Sequence, residues 1–197
     1  MNRAVVIGSI VVASGAVLWA VWRFLLVSPA MESSAVIEAA NGHGYQFVAA
    51  SDIGWDQARA DAAKLSWRGH MGYLATIDNA AEYQLILDRL FSKAYPDVTY
   101  LGGRQTAPGE WRWVTGPDGL ADGGKGQLFW RGDETGTLPP GGYANWMATA
   151  FQHGGKWDVG KVCCVSLFSY GIPQFSTSLG SGDADEHVAG YLVEFGG

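Results

Sequence analysis

Four groupings in this sequence hold residue types that could do chemistry. Asp183-Ala184-Asp185-Glu186-His187 packs three carboxylates and an imidazole into five positions, a density that could bind a cation. A solvated acidic loop is the simpler reading. His153 and Asp158 could form a metal or acid–base pair, but one such pair at this spacing arises readily by chance. Cys163 and Cys164 are the only cysteines. A reactive thiolate needs electropositive surroundings, and only Lys161 stands near them in an otherwise apolar run. The expectation is a strand pair with one thiol buried as a small hydrophobe, a strained vicinal bridge being the alternative. No Gly-x-Ser-x-Gly, Walker or His-Glu-x-x-His pattern occurs. The sequence therefore reads as a non-enzyme with no catalytic residue, no cofactor and no metal site.

The fourth grouping is aromatic. Phe129, Trp130, Tyr143 and Phe151, followed by Gln152, lie in or beside a stretch rich in Gly, Asp and Pro from Gly116 to Gly142. Aromatic side chains are favoured anchors of binding surfaces. These five residues are the candidate ligand-binding set.

The elements that would position them follow from periodicity. His43 to Val48 alternates polar and apolar residues, a strand pattern. Trp55, Ala58, Ala62 and Leu65 recur at helical spacing and predict a first helix over 55–65. Gly69 to Ile77 reads as a loop and short strand. Asn79-Ala80-Ala81-Glu82 is a capping box, in which Asn79 accepts from the first turn and Glu82 reaches back. A second helix follows, with Tyr83, Leu87, Leu90, Phe91 and Ala94 on one face and Pro96 ending it. Beyond Thr99 only strand and loop are expected, with a long loop over 116–142, a buried strand over 162–168 and a last strand over 192–195. Helices ahead of a strand-and-loop half predict an α+β domain.

The chain has 197 residues, 48% hydrophobic and 16% charged, which suits one globular domain plus an apolar extra. Ala4 to Trp22 supplies the extra: 19 residues without a charge, which at about 1.5 Å per residue cross most of a bilayer. Arg3 and Arg23 flank it, and the run is long for a cleaved signal. The expected organisation is a transmembrane signal anchor at 1–27, a stalk at 28–41 and a domain at 42–197. Residues 4–27 would meet the lipid bilayer, the N-terminus lying inside and the domain extracytoplasmic. Gly8, Ser9, Ala13, Ser14, Gly15 and Ala16 would permit close helix packing in a larger membrane complex. Removing Arg3 and Arg23 from the 13 basic residues leaves 11 against 19 acidic ones, a balance of −8. Such a surface repels a phosphate backbone, so nucleic acid is excluded as a partner.

Six short motifs, in order, resemble the signature of C-type lectin-like domains. They are Asn41-Gly42-His43-Gly44-Tyr45-Gln46-Phe47, Trp55-Asp56-Gln57-Ala58, the Gly69–Ile77 turn, Tyr100-Leu101-Gly102-Gly103 with Glu110-Trp111-Arg112-Trp113-Val114-Thr115-Gly116, Asn145-Trp146, and Gly190-Tyr191-Leu192-Val193-Glu194-Phe195. The resemblance covers 41–197 and implies two helices, irregular antiparallel strands and a long loop region. It also implies that Trp111, Trp113 and Trp146 are structural. Sugar-binding members of the family hold calcium with two side-chain motifs; at the matching positions this chain has Ala150-Phe151-Gln152 and Ser176-Thr177-Ser178. Those residues offer one amide and three hydroxyls, and no carboxylate, so no calcium is expected there. The usual long-range disulfides of the animal members cannot form either.

What remains is a membrane-anchored, extracytoplasmic binding module. Its expected partner is another protein, in one version as an accessory subunit of a larger membrane complex. A calcium-independent carbohydrate binder using Trp130 or Tyr143, or a secreted protein cleaved near Ala30, are the alternatives.

Overall fold

The computed structural model describes residues 32–91, 97–151, 163–168, 172–178 and 188–197. The expected membrane span, Pro96 and Ala94, Gln152, the His153/Asp158 pair, Lys161 and the 183–187 acidic run lie outside these residues. Among the described residues no helix is long and apolar enough to cross a membrane.

In chain order the first elements are strands β1 (Ile37–Glu38) and β2 (Gly44–Ala49), helix α1 (Trp55–Ala62), and strands β3 (Ser66–Trp67) and β4 (His70–Leu74). Helix α2 (Ala80–Leu90) and strands β5 (Val98–Ala107) and β6 (Glu110–Trp113) follow. A 3-10 turn (Pro117–Leu120), the four-residue α3 (Ala121–Gly124) and strands β7 (Gln127–Arg131), β8 (Cys164–Phe168), β9 (Gln174–Ser178) and β10 (Val188–Phe195) complete the order.

The sheet is organised around β10. It runs antiparallel to β2 with Leu192 opposite Phe47. Its first residues lie parallel to β5, with Tyr191 opposite Tyr100, and its last three lie antiparallel to β4. The first long strand and the last are thus neighbours, which closes the domain on itself. From β5 the sheet continues on one side to β6 and β7, and β8 and β9 branch from it as an antiparallel hairpin. Helices interspersed with this largely antiparallel sheet give the α+β architecture expected.

Both helices form where their apolar spacing put them. In α1, Trp55, Ala58 and Ala62 are buried, and the Trp55 indole donates to the Leu101 carbonyl at 2.7 Å. The helix stops at Ala62 rather than Leu65, because the Lys64 and Leu65 amides switch to carbonyls three residues back. In α2, Asn79 accepts from the Glu82 amide at 2.9 Å, as the capping box requires. The reciprocal bond is displaced by one residue: Glu82 accepts from the Asp78 amide at 2.9 Å.

Two expectations are corrected beyond Thr99. The stretch after Gly116 is not all loop, since Pro117 at a first-turn position starts the 3-10 turn and α3 follows. Buried Arg112 holds that segment, donating to the Gly126 carbonyl at 2.7 Å and to Asp122 at 3.1 Å. The apolar island at 128–130 is strand β7. The expected last strand also begins earlier, at Val188.

Trp111 and Trp113 project from one face of β6, as strand alternation dictates, and both are buried. Trp113 stacks on Phe129 at 4.2 Å between centroids, and Trp111 meets Trp146 edge-on at 5.4 Å. Gly102 is required by close approach: a Cβ there would lie 1.9 Å from the Thr115 hydroxyl oxygen, which itself donates to the Leu74 carbonyl.

Cys163 and Cys164 are joined in a vicinal disulfide, so the buried free thiol expected there is corrected. The bridged pair sits where the chain enters β8. The Cys163 amide donates to the Ser178 carbonyl, and the Cys163 carbonyl, part of the connecting peptide, accepts from the Gln105 amide.

Candidate functional site

The long-loop face is built by laying residues 143–151 along the free edge of β9. The Phe175 amide donates to the Asn145 carbonyl at 2.8 Å, and the Met147 amide returns a bond to the Phe175 carbonyl at 3.0 Å. Trp146 is thereby paired in parallel with Phe175. The chain then turns, Ala150 donating to the Met147 carbonyl. At the far end the Thr177 hydroxyl donates to the Ala150 carbonyl at 2.7 Å.

That last bond joins the two positions at which the family resemblance places a calcium ion. Ala150 is fully buried, and Ser176, Thr177 and Ser178 are buried in β9. Among the described residues the donor set does not fit the ion. Ala150 has no side-chain oxygen, and the Thr177 hydroxyl is already committed to its carbonyl. Calcium wants six to eight oxygens with carboxylates among them. Among the described residues no group of three or more histidine, cysteine, aspartate or glutamate side chains is placed to hold a metal.

The candidate aromatic residues divide. Phe129 is 1% exposed and lies between Trp113 and Trp146, so its assignment to a ligand surface is corrected: it has no free face. A bulge at Trp111/Arg112 pairs Trp130 with Trp111 and Leu128 with Arg112, which leaves Phe129 as the extra residue to turn inward. Trp130 is half-buried, its indole N–H held by the Asp133 carbonyl at 3.1 Å. Phe151 is half-buried against Trp146 at 4.8 Å and Trp111 at 5.8 Å. Tyr143 packs on Tyr83 and Phe175, and burial pushes its hydroxyl up to about 12. Trp146, expected to be structural, is the packing hub of this face, in ring contact with Trp111, Phe129, Trp130, Phe151 and Phe175.

Just ahead of β9 an apolar side chain reaches solvent. Ile172 is 64% exposed. It precedes Pro173, whose carbonyl accepts from Tyr83, and Gln174, whose amide donates to Asn145. Leu138, in the connection from β7, is also exposed. Neither residue stands out in the sequence, where each is an isolated apolar residue next to a proline.

A second cluster was missed altogether. Asp78, Glu82, Asp118 and Glu194 converge around Tyr45 and Thr76. Only their motifs gave a signal, Glu82 as a cap and Glu194 as part of the last strand.

No protein-family model matches the chain. Halomucin of Haloquadratum walsbyi is 34% identical over 115 residues, which are 58% of this chain and 1% of that protein's length. Among solved structures, the carbohydrate-recognition domain of mouse scavenger receptor C-type lectin aligns at a TM-score of 0.51 and 15% identity, covering 81% of this chain and 93% of that one. The human counterpart aligns at 0.51 and 16% identity, covering 85% and 96%. The domain thus has the C-type lectin-like fold.

Proposed function

We propose that this lectin-fold chain is a membrane-anchored, extracytoplasmic binding module that contacts another protein through its long-loop face, without calcium at the β9 position. The observation that carries the reading is the direct bond from Thr177 to Ala150. Where sugar-binding relatives of the fold would join loop and strand through an ion, here a hydroxyl and a carbonyl join them. The loop is held in place by the chain itself, so the face is preorganised without a metal.

Protein is favoured over sugar by the chemistry of that face. Half-buried Trp130, Tyr143 and Phe151 and exposed Ile172 offer apolar and aromatic contact area, which suits a protein anchor. The anchor itself is supported by the 19-residue apolar run at 4–22 and its flanking arginines. The test is co-purification of the full chain from membranes in mild detergent with EDTA present. A stoichiometric protein partner, lost with Trp130→Ala or Ile172→Asp, supports the reading. Recovery of the chain alone under every condition counts against it.

A sugar-binding reading has one feature in its favour. The Asp133 carbonyl fixes the Trp130 ring, and a fixed indole can stack on a pyranose. Silence on a glycan array with and without calcium removes it.

A further inference from the structure

Glu194 is 3% exposed in the middle of the sheet, and its two oxygens are shared out. Oε1 lies 2.6 Å from Nδ1 of His43, and Oε2 accepts from the Thr76 amide at 3.1 Å. From these contacts a connected network can be followed. The Thr76 hydroxyl donates to Asp118 at 2.6 Å, and the Asp118 carboxylate is close enough to Asp78 to raise it. The Asp78 amide donates to Oε2 of Glu82 at 2.9 Å. Oε1 of Glu82 accepts from the Tyr45 hydroxyl at 2.6 Å, and that hydroxyl lies 3.3 Å from Oε1 of Glu194.

The network draws on every element around it: His43 and Tyr45 at β2, Thr76 and Asp78 after β4, Glu82 in the first turn of α2, Asp118 in the 3-10 turn, and Glu194 on β10. Tyr73 of β4 and Gln127 of β7 complete its lining, Gln127 donating to Asp78 at 3.4 Å. Four carboxylates are thus gathered, and among the described residues His43 is the one basic side chain in contact with them. Among the described residues no lysine or arginine pairs with any of the four.

Like charges gathered this closely resist full ionisation. We infer that this carboxylate network is a proton-operated latch, which ties the 3-10 turn and the start of α2 to the sheet while it holds protons and loosens them as protons leave. The turn opens the excursion that runs through α3 and β7 to Trp130, so the latch acts on the base of the long-loop face.

Burial and the neighbouring carboxylates push Asp78 up to about 7, and burial pushes Glu82 up to about 7 and Glu194 upward. Both folded values near 7 lie above the ordinary carboxylate range. The folded state therefore binds more protons than the unfolded chain, and the stabilisation is present in acid and is lost as pH rises through about 7.

The test is thermal unfolding and amide exchange of the full chain in mild detergent with EDTA, at pH 5.5 and 8.5. The wild type is expected to lose about 5 °C in Tm on going to the higher pH. Exchange protection, corrected for intrinsic rates, is expected to fall about tenfold over 76–83 and 115–120, with the β2–β10 ladder unchanged. Asp78→Asn and Glu82→Gln, which fix the uncharged form, should each flatten both responses; Asp78→Asn leaves the α2 cap intact if Glu82→Gln folds poorly. No fall in the wild type, an equal fall in Asp78→Asn, or protection lost uniformly across the domain would overturn the latch.

Discussion

The hydroxyl of Thr177 and the carbonyl of Ala150, 27 residues apart in sequence, meet at 2.7 Å inside the domain. Through this contact β9 closes on the end of the long loop with no bridging group. Removing the hydroxyl while keeping the shape leaves a buried carbonyl without its donor. Thr177→Val is therefore expected to cost about 1–3 kcal/mol in a denaturant titration. Adding calcium should change the midpoint of neither protein. A calcium-dependent rise in the wild type that disappears in Thr177→Val would show an ion at this position.

Gly102 faces the Thr115 hydroxyl with no room between them. Gly102→Ala should unfold the domain or lower its Tm by more than 10 °C, because the obstacle includes the Leu74 carbonyl as well as a side chain. Adding Thr115→Ser should recover little, since the hydroxyl oxygen remains. A Gly102→Ala protein with wild-type Tm would mean that β4 and β5 do not approach as described.

Phe129 and Trp130 are adjacent but should behave oppositely. Phe129→Ala removes a ring stacked between Trp113 and Trp146 and should cost about 3–5 kcal/mol. Trp130→Ala, at a half-buried position, should cost less stability and more binding. Equal losses of stability in the two variants would place Trp130 in the core.

Asn79 supplies the local signal that was easiest to read. Asn79→Ala is expected to destabilise by about 1 kcal/mol through loss of its bond to the Glu82 amide, with Asn79→Asp close to wild type. Circular dichroism during urea unfolding measures both.

The contrast between these residues explains what was legible. Trp55, Ala58 and Ala62, and Asn79 with Glu82, announce their helices because the interactions that matter lie within one or two turns. Trp111 and Trp113 follow from strand alternation. Phe129 was misplaced because it is the extra residue of a bulge in β7, invisible in the sequence, which decides which way it points. The latch was invisible for another reason. Its members, from His43 to Glu194, come from separate elements, and only tertiary contacts such as the pairing of β10 with both β2 and β4 bring them together. The Thr177–Ala150 contact stood in between: the family resemblance flagged both segments, while the bond itself required the docking of Asn145 and Met147 on β9.

The most direct test of the binding account is photo-crosslinking in native membranes, with a photoreactive residue at Tyr143 or Ile172 of the full chain and calcium either present or chelated. The account predicts one protein adduct of defined mass at both positions, in the same yield with and without calcium, and reduced by Trp130→Ala. An adduct that forms only with calcium, or labelling of glycan with no protein adduct, would contradict it.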